Sequence, residues 1–64
     1  MPMVSVRMLR GRSPEQKKKL LEGITRVVHE TTDSPLSSIR VWVEEMADDE
    51  FMIAGELASE RRKG

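Results

Sequence analysis

Two short alternating segments enclose one long amphipathic segment, and this order constrains the fold more than any other feature of the chain. Residues 3–9 and residues 39–46 each place apolar side chains at every second position, the period of a β-strand. Residues 14–32 follow a helical period. A strand, a helix and a strand in this order predict a βαβ unit with parallel strands and a right-handed crossover, and so an α/β (α+β) fold.

Local signals at both ends support a helix over residues 14–32. Ser13 can cap the helix, Pro14 suits its first position, and Gln16 completes a capping box. The sequence Asp-Ser-Pro that ends at Pro35 disfavours continuation beyond about Thr32. The apolar stripe of the helix consists of Leu20, Ile24, Val27, Val28 and Thr31.

The remainder of the chain contains shorter patterns. Residues 47–50 form an acidic loop, and residues 51–55 form an apolar segment that ends at a glycine, which predicts a brief hairpin or edge strand. Residues 61–64 are expected to be a frayed tail. No linker or internal repeat interrupts the sequence, so we expect residues 1–64 to form a single domain.

The size of the chain predicts an oligomer. A protein of 64 residues without cysteine has no disulfides, no thiolate zinc site and no thiol nucleophile. A chain this short buries only about 60% of its unfolded surface. One helix covers one face of a two-stranded sheet, and Trp42 is predicted on the face opposite Val41 and Val43. We therefore expect another subunit to cover the bare face.

The charge balance narrows the class of partner. Lys plus Arg total 11 and Asp plus Glu total 11, so the chain has no basic surplus for bulk capture of nucleic acid or an anionic membrane. It contains no apolar run of the roughly 20 residues that span a bilayer, and no signal-peptide pattern. The carboxylates of residues 44–50 lack the spacing of a calcium loop. We expect a cytoplasmic protein with no metal, nucleic-acid or membrane partner.

Pro2 is the first candidate for chemistry. Initiator methionine is generally removed before a small residue, which would leave Pro2 with a free secondary amine. Such an amine is a base, whereas the same nitrogen in a Met-Pro amide is not. Nearby cations and a dry pocket would move its pKa toward neutrality, where a general base works best. The alternative is that Met-Pro is an ordinary chain start without a role.

Arg12 and Arg40 are the second candidates. Arg12 follows the first predicted strand and Arg40 begins the second, so they would lie at opposite ends of the sheet within one subunit. Guanidinium groups bind carboxylates bidentately, so two arginines from different subunits could hold a dicarboxylate. Solvated salt bridges are the alternative, and the competing arginines are Arg7, Arg10 and Arg26.

Three further features have weaker signals. Phe51, the only phenylalanine, suits either the wall of a pocket or an ordinary core or interface position. His29, the only histidine, falls on the polar side of the helix and is predicted at the solvated surface. Lys17, Lys18 and Lys19 are predicted to form a solvated helix face.

In their order and spacing, these residues resemble the 4-oxalocrotonate tautomerase family. The resemblance covers nearly the whole chain without a gap. Its matching stretches are Met-Pro at the start, Leu-Arg-Gly-Arg-Ser at 9–13, Glu-Gln-Lys at 15–17, Pro-Leu-Ser-Ser-Ile-Arg-Val at 35–41, Glu-Met-Ala at 45–47, Phe51, and Gly-Glu-Leu-Ala-Ser at 55–59.

The resemblance implies an assembly and a set of site residues. It implies βαβ subunits that pair into dimers, three of which form a hexamer. It assigns the general base to Pro2, the substrate-binding arginines to Arg12 and Arg40 from neighbouring subunits, the pocket wall to Phe51, and a backbone contact to Leu9. It implies that neither a metal nor an organic cofactor is required.

The resemblance also implies a reaction. Pro2 would take the 2-hydroxyl proton of 2-hydroxymuconate, a small dicarboxylate, and return a proton to C5, in the degradation of aromatic compounds. Two departures from the family pattern bear on the substrate. Ala54 stands where glycine is frequent, and the acids at 48–50 would repel a dianion if they faced the pocket mouth.

Two alternatives stay open at this point. A relative could use the same proline to hydrate or dehalogenate an unsaturated acid. A non-catalytic oligomeric module, such as a strand-ribbon DNA binder that uses Arg7 and Arg10, belongs to another class. The zero net charge and the βαβ order count against it. Identical chains, or this chain and a close relative, could form the assembly.

Overall fold

Two parallel strands and the helix between them form the main body of the structure, a computed structural model that describes residues 1–61. Strand β1 (Met3–Leu9) pairs with strand β2 (Arg40–Met46), in a register that runs from Met3 opposite Arg40 to Leu9 opposite Met46. Helix α1 (Pro14–Thr32) connects them. The predicted βαβ unit is confirmed. The second strand begins one residue later than predicted, because the N–H of Ile39 closes the 3₁₀ turn Leu36–Ser38.

Helix α1 has the ends that the sequence predicts. The hydroxyl of Ser13 accepts a hydrogen bond from the N–H of Gln16, and the side chain of Gln16 accepts one from the N–H of Ser13. This capping box satisfies two of the free N–H groups of the first turn. At the other end Asp33 adopts a left-handed conformation with φ of 60° and donates its N–H to the carbonyl of His29. Asp33 therefore caps the helix directly after Thr32, its last residue.

The helix covers only one face of the sheet. Val4 and Val6 of β1 and Val41 and Val43 of β2 are half-buried on that side. The other side, which we call the open sheet face, consists of Met3, Ser5, Arg7, Leu9, Arg40, Trp42, Glu44 and Met46. Trp42 lies on this face with 37% of its surface exposed, as predicted.

A small hairpin and a short helix follow the sheet. Strand β3 (Met52–Ile53) pairs antiparallel with β4 (Glu56–Leu57), which confirms the predicted hairpin. Helix α2 (Ala58–Arg61) follows directly and was not predicted. Arg61 is helical, so the predicted frayed tail is wrong at this residue. The rest of that predicted tail, 62–64, lies outside the described residues.

The described chain leaves much apolar surface uncovered. Its radius of gyration is 15.0 Å, whereas about 11 Å is typical of a compact chain of this length. The hairpin pairs within itself and not with the β1–β2 sheet, and its Met52 is 54% exposed. Among the described residues, only Ile39 and Ala58 are buried hydrophobic side chains. No described helix is long and apolar enough to cross a membrane.

Candidate active site

The five residues singled out from the sequence fall into two groups at opposite ends of the β1–β2 sheet. Pro2 and Arg40 lie at the amino end of the strands, and Leu9, Arg12 and Phe51 lie at the carboxyl end. The strands have seven residues each, so the two ends are about 20 Å apart at roughly 3.3 Å per residue. A single chain therefore does not bring these five residues together at one place.

Backbone hydrogen bonds between β1 and β2 position the residues at the amino end of the sheet. The N–H of Arg40 donates to the carbonyl of Pro2 at 3.0 Å, one residue before Met3 pairs with Arg40. Pro2 is half-buried, whereas Met1 is 78% exposed. The guanidinium of Arg40 donates to the carbonyl of Ser37 at 2.7 Å and makes no ion pair with a described carboxylate. Its charge is thus available to an anionic ligand.

A tight turn after β1 positions Arg12 at the carboxyl end of the sheet. The N–H of Arg10 extends the ladder by donating to the carbonyl of Met46 at 2.9 Å. Gly11 then turns the chain with φ of 136°, a value that favours glycine. Arg12 follows directly before Ser13, the helix cap. Arg12 is exposed and forms no ion pair with the carboxylates that the structure describes.

The connection after β2 builds the other half of the carboxyl end. Phe51 lines an apolar hollow at the end of the sheet, together with Arg7, Met8, Leu9 and Met46. The carbonyl of Phe51 accepts the N–H of Ala58 at 2.9 Å, so the start of α2 fixes its backbone. Leu9 and Phe51 thus share one surface.

A hydrogen bond within the acidic loop holds the exposed side chain of Glu50. The Glu50 carboxylate accepts the N–H of Ala47 at 2.9 Å, and the N–H of Glu50 donates to the carbonyl of Ala47. The side chain of Glu50 is therefore folded onto the backbone of its own loop. The carbonyl of Asp48 accepts the N–H of Ser59, which joins the loop to α2. Asp49 is exposed.

An ion pair that sequence reasoning missed joins the two halves of the carboxyl end. Lys17 Nζ lies 3.1 Å from Glu45 Oε1, and the two side chains are only 29% and 24% exposed. The prediction of a solvated Lys17 is therefore wrong. The predicted apolar stripe of the helix did not reveal this pair, because Lys17 shares a helix face with the half-buried Leu21, which lies outside that stripe. The pair connects the first turn of α1, next to Arg12, to the end of β2.

A second missed group lies on the open sheet face between the two ends. The indole N–H of Trp42 donates to Glu44 Oε2 at 3.0 Å, and Arg7 Nε donates to Glu44 Oε1 at 3.3 Å. We call these three residues the Trp42–Glu44–Arg7 network. The hydrogen bond from Trp42, followed by that from Arg7, holds the pKa of Glu44 below its usual value.

The remaining ionisable candidates do not converge on a site. His29 is exposed and its Nδ1 lies 2.7 Å from the carbonyl of Ser34, next to the end of α1. Within residues 1–61, no three His, Cys, Asp or Glu side chains are grouped so that they could hold a metal ion.

A parallel βαβ unit with a short carboxyl-terminal hairpin is the fold of the small tautomerases. The crystal structure of TomN, a 4-oxalocrotonate tautomerase homologue in the tomaymycin biosynthetic pathway, superposes with a TM-score of 0.94 at 36% identity, over 98% of this chain and 97% of that one. A heterohexameric 4-oxalocrotonate tautomerase from Chloroflexus aurantiacus superposes with a TM-score of 0.89 at 28% identity, over 94% and 97%.

The family model described as Tautomerase enzyme matches residues 2–61, and the chain belongs to this family of isomerases. The 2-hydroxymuconate tautomerase of Pseudomonas putida is 43% identical over 98% of this chain and its own full length. The 2-hydroxymuconate tautomerase of Bacillus subtilis is 45% identical over 94% of this chain and 97% of its own.

Proposed function

We propose that this enzyme converts 2-hydroxymuconate, or a closely related 2-hydroxydienoate, to the conjugated 2-oxo-3-enoate. The observation that supports it best is that Arg12 and Arg40 are exposed at opposite ends of the sheet and form no ion pair with a carboxylate of residues 1–61. Two such cations suit a substrate with a carboxylate at each end. The activity of the relatives from Pseudomonas putida and Bacillus subtilis agrees with this substrate class.

Pro2 is the proposed general base. Loss of Met1 would turn its nitrogen from an amide into a secondary amine. The amine takes the proton from the 2-hydroxyl group, and the electron pair of the O–H bond forms the C2 carbonyl. The dienol electrons move along the chain, and the ammonium returns a proton to C5. The proton balance closes within one turnover, and the step needs no oxidant or reductant.

The two arginines have different proposed roles. Arg40 holds the carboxylate next to the 2-hydroxyl group and draws electron density toward it. Arg12 holds the distal carboxylate and stabilises the charge that moves toward C5. Phe51 and the backbone at Leu9 wall the pocket, and the exclusion of water strengthens both arginine contacts.

The site is proposed to form between chains. Because the two groups of residues lie at opposite ends of one sheet, Pro2 of one chain would meet Leu9, Arg12 and Phe51 of another. We propose a homohexamer, in line with the hexameric Chloroflexus aurantiacus protein, which differs in containing unlike chains. The large exposed apolar surface of the single chain supports an assembly of this kind.

Turnover of 2-hydroxymuconate, followed by ultraviolet absorbance on protein whose mass excludes Met1, tests the proposal. Formation of the conjugated ketone is expected. A correctly processed assembly that leaves 2-hydroxymuconate unchanged would contradict the substrate assignment. Release of halide from a 3-haloacrylate by the same sample would then favour an unsaturated-acid hydratase or dehalogenase.

A further inference from the structure

The 3₁₀ turn Leu36–Ser38 lies just before Arg40, the arginine at the amino end of the sheet. The carbonyl of Pro35 accepts two hydrogen bonds from Ser38, one from its N–H at 3.0 Å and one from its hydroxyl at 2.9 Å. The side chain of Ser38 therefore adds a bond of its own to a turn that the backbone also forms. Ser38 is half-buried, whereas Arg40 is exposed.

The side chain of Arg40 folds back onto this turn. Its Nη1 donates to the carbonyl of Ser37 at 2.7 Å and to the carbonyl of Ile39 at 3.4 Å. A guanidinium has five N–H donors, and Nη1 carries two of them. Nε and Nη2 form no hydrogen bond with residues 1–61. The edge of the guanidinium formed by Nε and Nη2 is thus open to a carboxylate, which it can bind with two parallel hydrogen bonds.

The turn is fixed on both sides. Before it, His29 Nδ1 lies 2.7 Å from the carbonyl of Ser34, and the hydroxyl oxygens of Thr32 and Ser34 lie 2.8 Å apart. After it, the side chain of Ile39 is buried. The turn therefore joins the end of α1 to the start of β2, and its conformation decides where the carbonyl of Ser37 points.

We propose that Ser38 is a positioning residue for Arg40. Its hydroxyl holds the turn, the carbonyl of Ser37 then fixes Nη1, and the edge of Nε and Nη2 faces the substrate carboxylate. The proposal rests on the proposed function, in which Arg40 binds the carboxylate next to the 2-hydroxyl group. A guanidinium held in this orientation does not have to turn as charge develops on the substrate, so the barrier is lower. Ser38 itself does not touch the substrate.

Steady-state kinetics of two Ser38 variants test this inference. Ser38→Ala removes one hydrogen bond, so kcat with 2-hydroxymuconate should fall by about three- to tenfold, while KM should change by less than about twofold. Ser38→Thr keeps the hydroxyl and should keep most of kcat. Thr25→Val is the matched control, because it removes a half-buried hydroxyl that donates to the carbonyl of Leu21 at 2.8 Å, and it should leave kcat unchanged. An unchanged kcat in Ser38→Ala would overturn the inference.

A double variant separates positioning from direct contact with the substrate. In an Arg40→Ala background the guanidinium is absent, so the addition of Ser38→Ala should lower kcat no further. A further fall of the same size would mean that Ser38 acts without Arg40, and would overturn the inference. The substrate 2-hydroxy-2,4-pentadienoate keeps the carboxylate next to the hydroxyl and lacks the distal one, so Ser38→Ala should lower its kcat by the same factor. An effect confined to 2-hydroxymuconate would also overturn the inference.

Nitrogen NMR of the Arg40 guanidinium gives a measurement that does not depend on turnover. The bond to the carbonyl of Ser37 should slow rotation about the Nε–Cζ bond. Ser38→Ala should make this rotation faster, whereas Ser38→Thr and Thr25→Val should not. The expected rotation pattern in a protein that leaves 2-hydroxymuconate unchanged would reject the proposed substrate alone. Normal turnover with the same rotation rate in Ser38→Ala and the original protein would reject the role of Ser38 alone.

Discussion

The two ends of the β1–β2 sheet are built in different ways. At the amino end, the backbone ladder alone places Pro2 next to Arg40. At the carboxyl end, Arg12 and Phe51 belong to two connections that leave different strands. Side chains hold these connections in place, through the capping box of α1, the Lys17–Glu45 pair and the Glu50 loop. Changes at the amino end should therefore affect chemistry directly, whereas changes at the carboxyl end should also act through loop geometry.

The largest expected loss of activity follows from substitution of Pro2. Pro2→Ala replaces the ring nitrogen with a primary amine whose lone pair is no longer oriented by the ring. Since a positioned general base contributes about 10² to 10⁴ in rate, we expect kcat to fall by about a hundredfold or more. Steady-state turnover of 2-hydroxymuconate measures kcat, with Ser5→Ala, in the strand β1 that follows Pro2, as the control. An unchanged kcat would exclude Pro2 as the base.

Mixing two impaired variants, assayed at a substrate concentration well below KM, tests the separation of the ends. A chain with Pro2→Ala keeps its carboxyl end intact, and a chain with Arg12→Ala keeps its amino end intact. When the two are unfolded together and reassembled, about a quarter of the sites should combine an intact Pro2 with an intact Arg12 from another chain. If the activity of the mixture is only the average of its two components at that substrate concentration, the site does not form between chains.

Substitution of Arg40 and substitution of Arg12 should affect different kinetic parameters. Arg40→Ala should mainly lower kcat, because Arg40 lies at the reacting end, and Arg12→Ala should mainly raise KM. Loss of a hydrogen bond to a charged group is worth about 1.5–3 kcal/mol, so each parameter should change by about tenfold or more. Arg10→Ala is the control, since Arg10 lies close to Arg12 in the chain and also has no ion pair among the described residues. The pocket assignment is wrong if neither arginine variant changes either parameter.

Lys17 tests how the carboxyl end is held together. Lys17→Met leaves Glu45 half-buried without its partner, so the free energy of unfolding should fall by about 1–2 kcal/mol and KM should rise as the Arg12 turn loosens. Urea unfolding and turnover measure the two effects. Lys18→Met, on an exposed neighbour, should change neither. Equal behaviour of the two variants would mean that the pair does not position the site.

Ala54 tests the hairpin beyond the carboxyl end. Ala54 has φ of 53° and Gly55 has φ of 84°, the backbone of a two-residue hairpin turn in which L residues with a Cβ are strained. Ala54→Gly should therefore raise the free energy of unfolding by about 1 kcal/mol, measured by urea or heat. Gly55→Ala is the opposite change and should lower it. Destabilisation by Ala54→Gly would show that the turn is not strained.

Local sequence signals account for most of the fold. Ser13, Pro14 and Gln16 are adjacent in sequence and define the start of α1 without help from the rest of the chain. The alternation of the strands likewise predicts which face of the sheet carries Trp42. Arg61 was assigned wrongly because a four-residue helix is too short to have a periodic pattern.

Pairings between distant elements were not predictable in the same way. Lys17 and Glu45 are 28 positions apart, and Arg7 and Glu44 are 37 positions apart. The Arg7–Glu44 pair depends on the register of β1 against β2, and the Lys17–Glu45 pair depends on how α1 packs across the sheet. A local sequence pattern predicts neither the register nor the packing. The sequence does predict that Arg12 and Arg40 lie at opposite ends. Which chains complete the site depends on the assembly, so the site residues remain predictions.

The smallest expected effect is the change in stability with pH that comes from Glu44, in the middle of the open sheet face. The pKa of Glu44 is lowered in the folded chain, so the stability contributed by its bonds to Trp42 and Arg7 is present above the usual carboxyl range and is lost as the pH falls through the lowered pKa. The effect on stability is small because both charged groups are exposed. The emission of Trp42 should nevertheless change in that range as its hydrogen bond to the carboxylate is lost.

Arg7→Met removes the second cause of the lowered pKa and should move the emission transition to higher pH, whereas Arg10→Met should not. If the emission transition has the same midpoint in Arg7→Met as in the original protein, the carboxylate of Glu44 does not link Trp42 and Arg7 in solution.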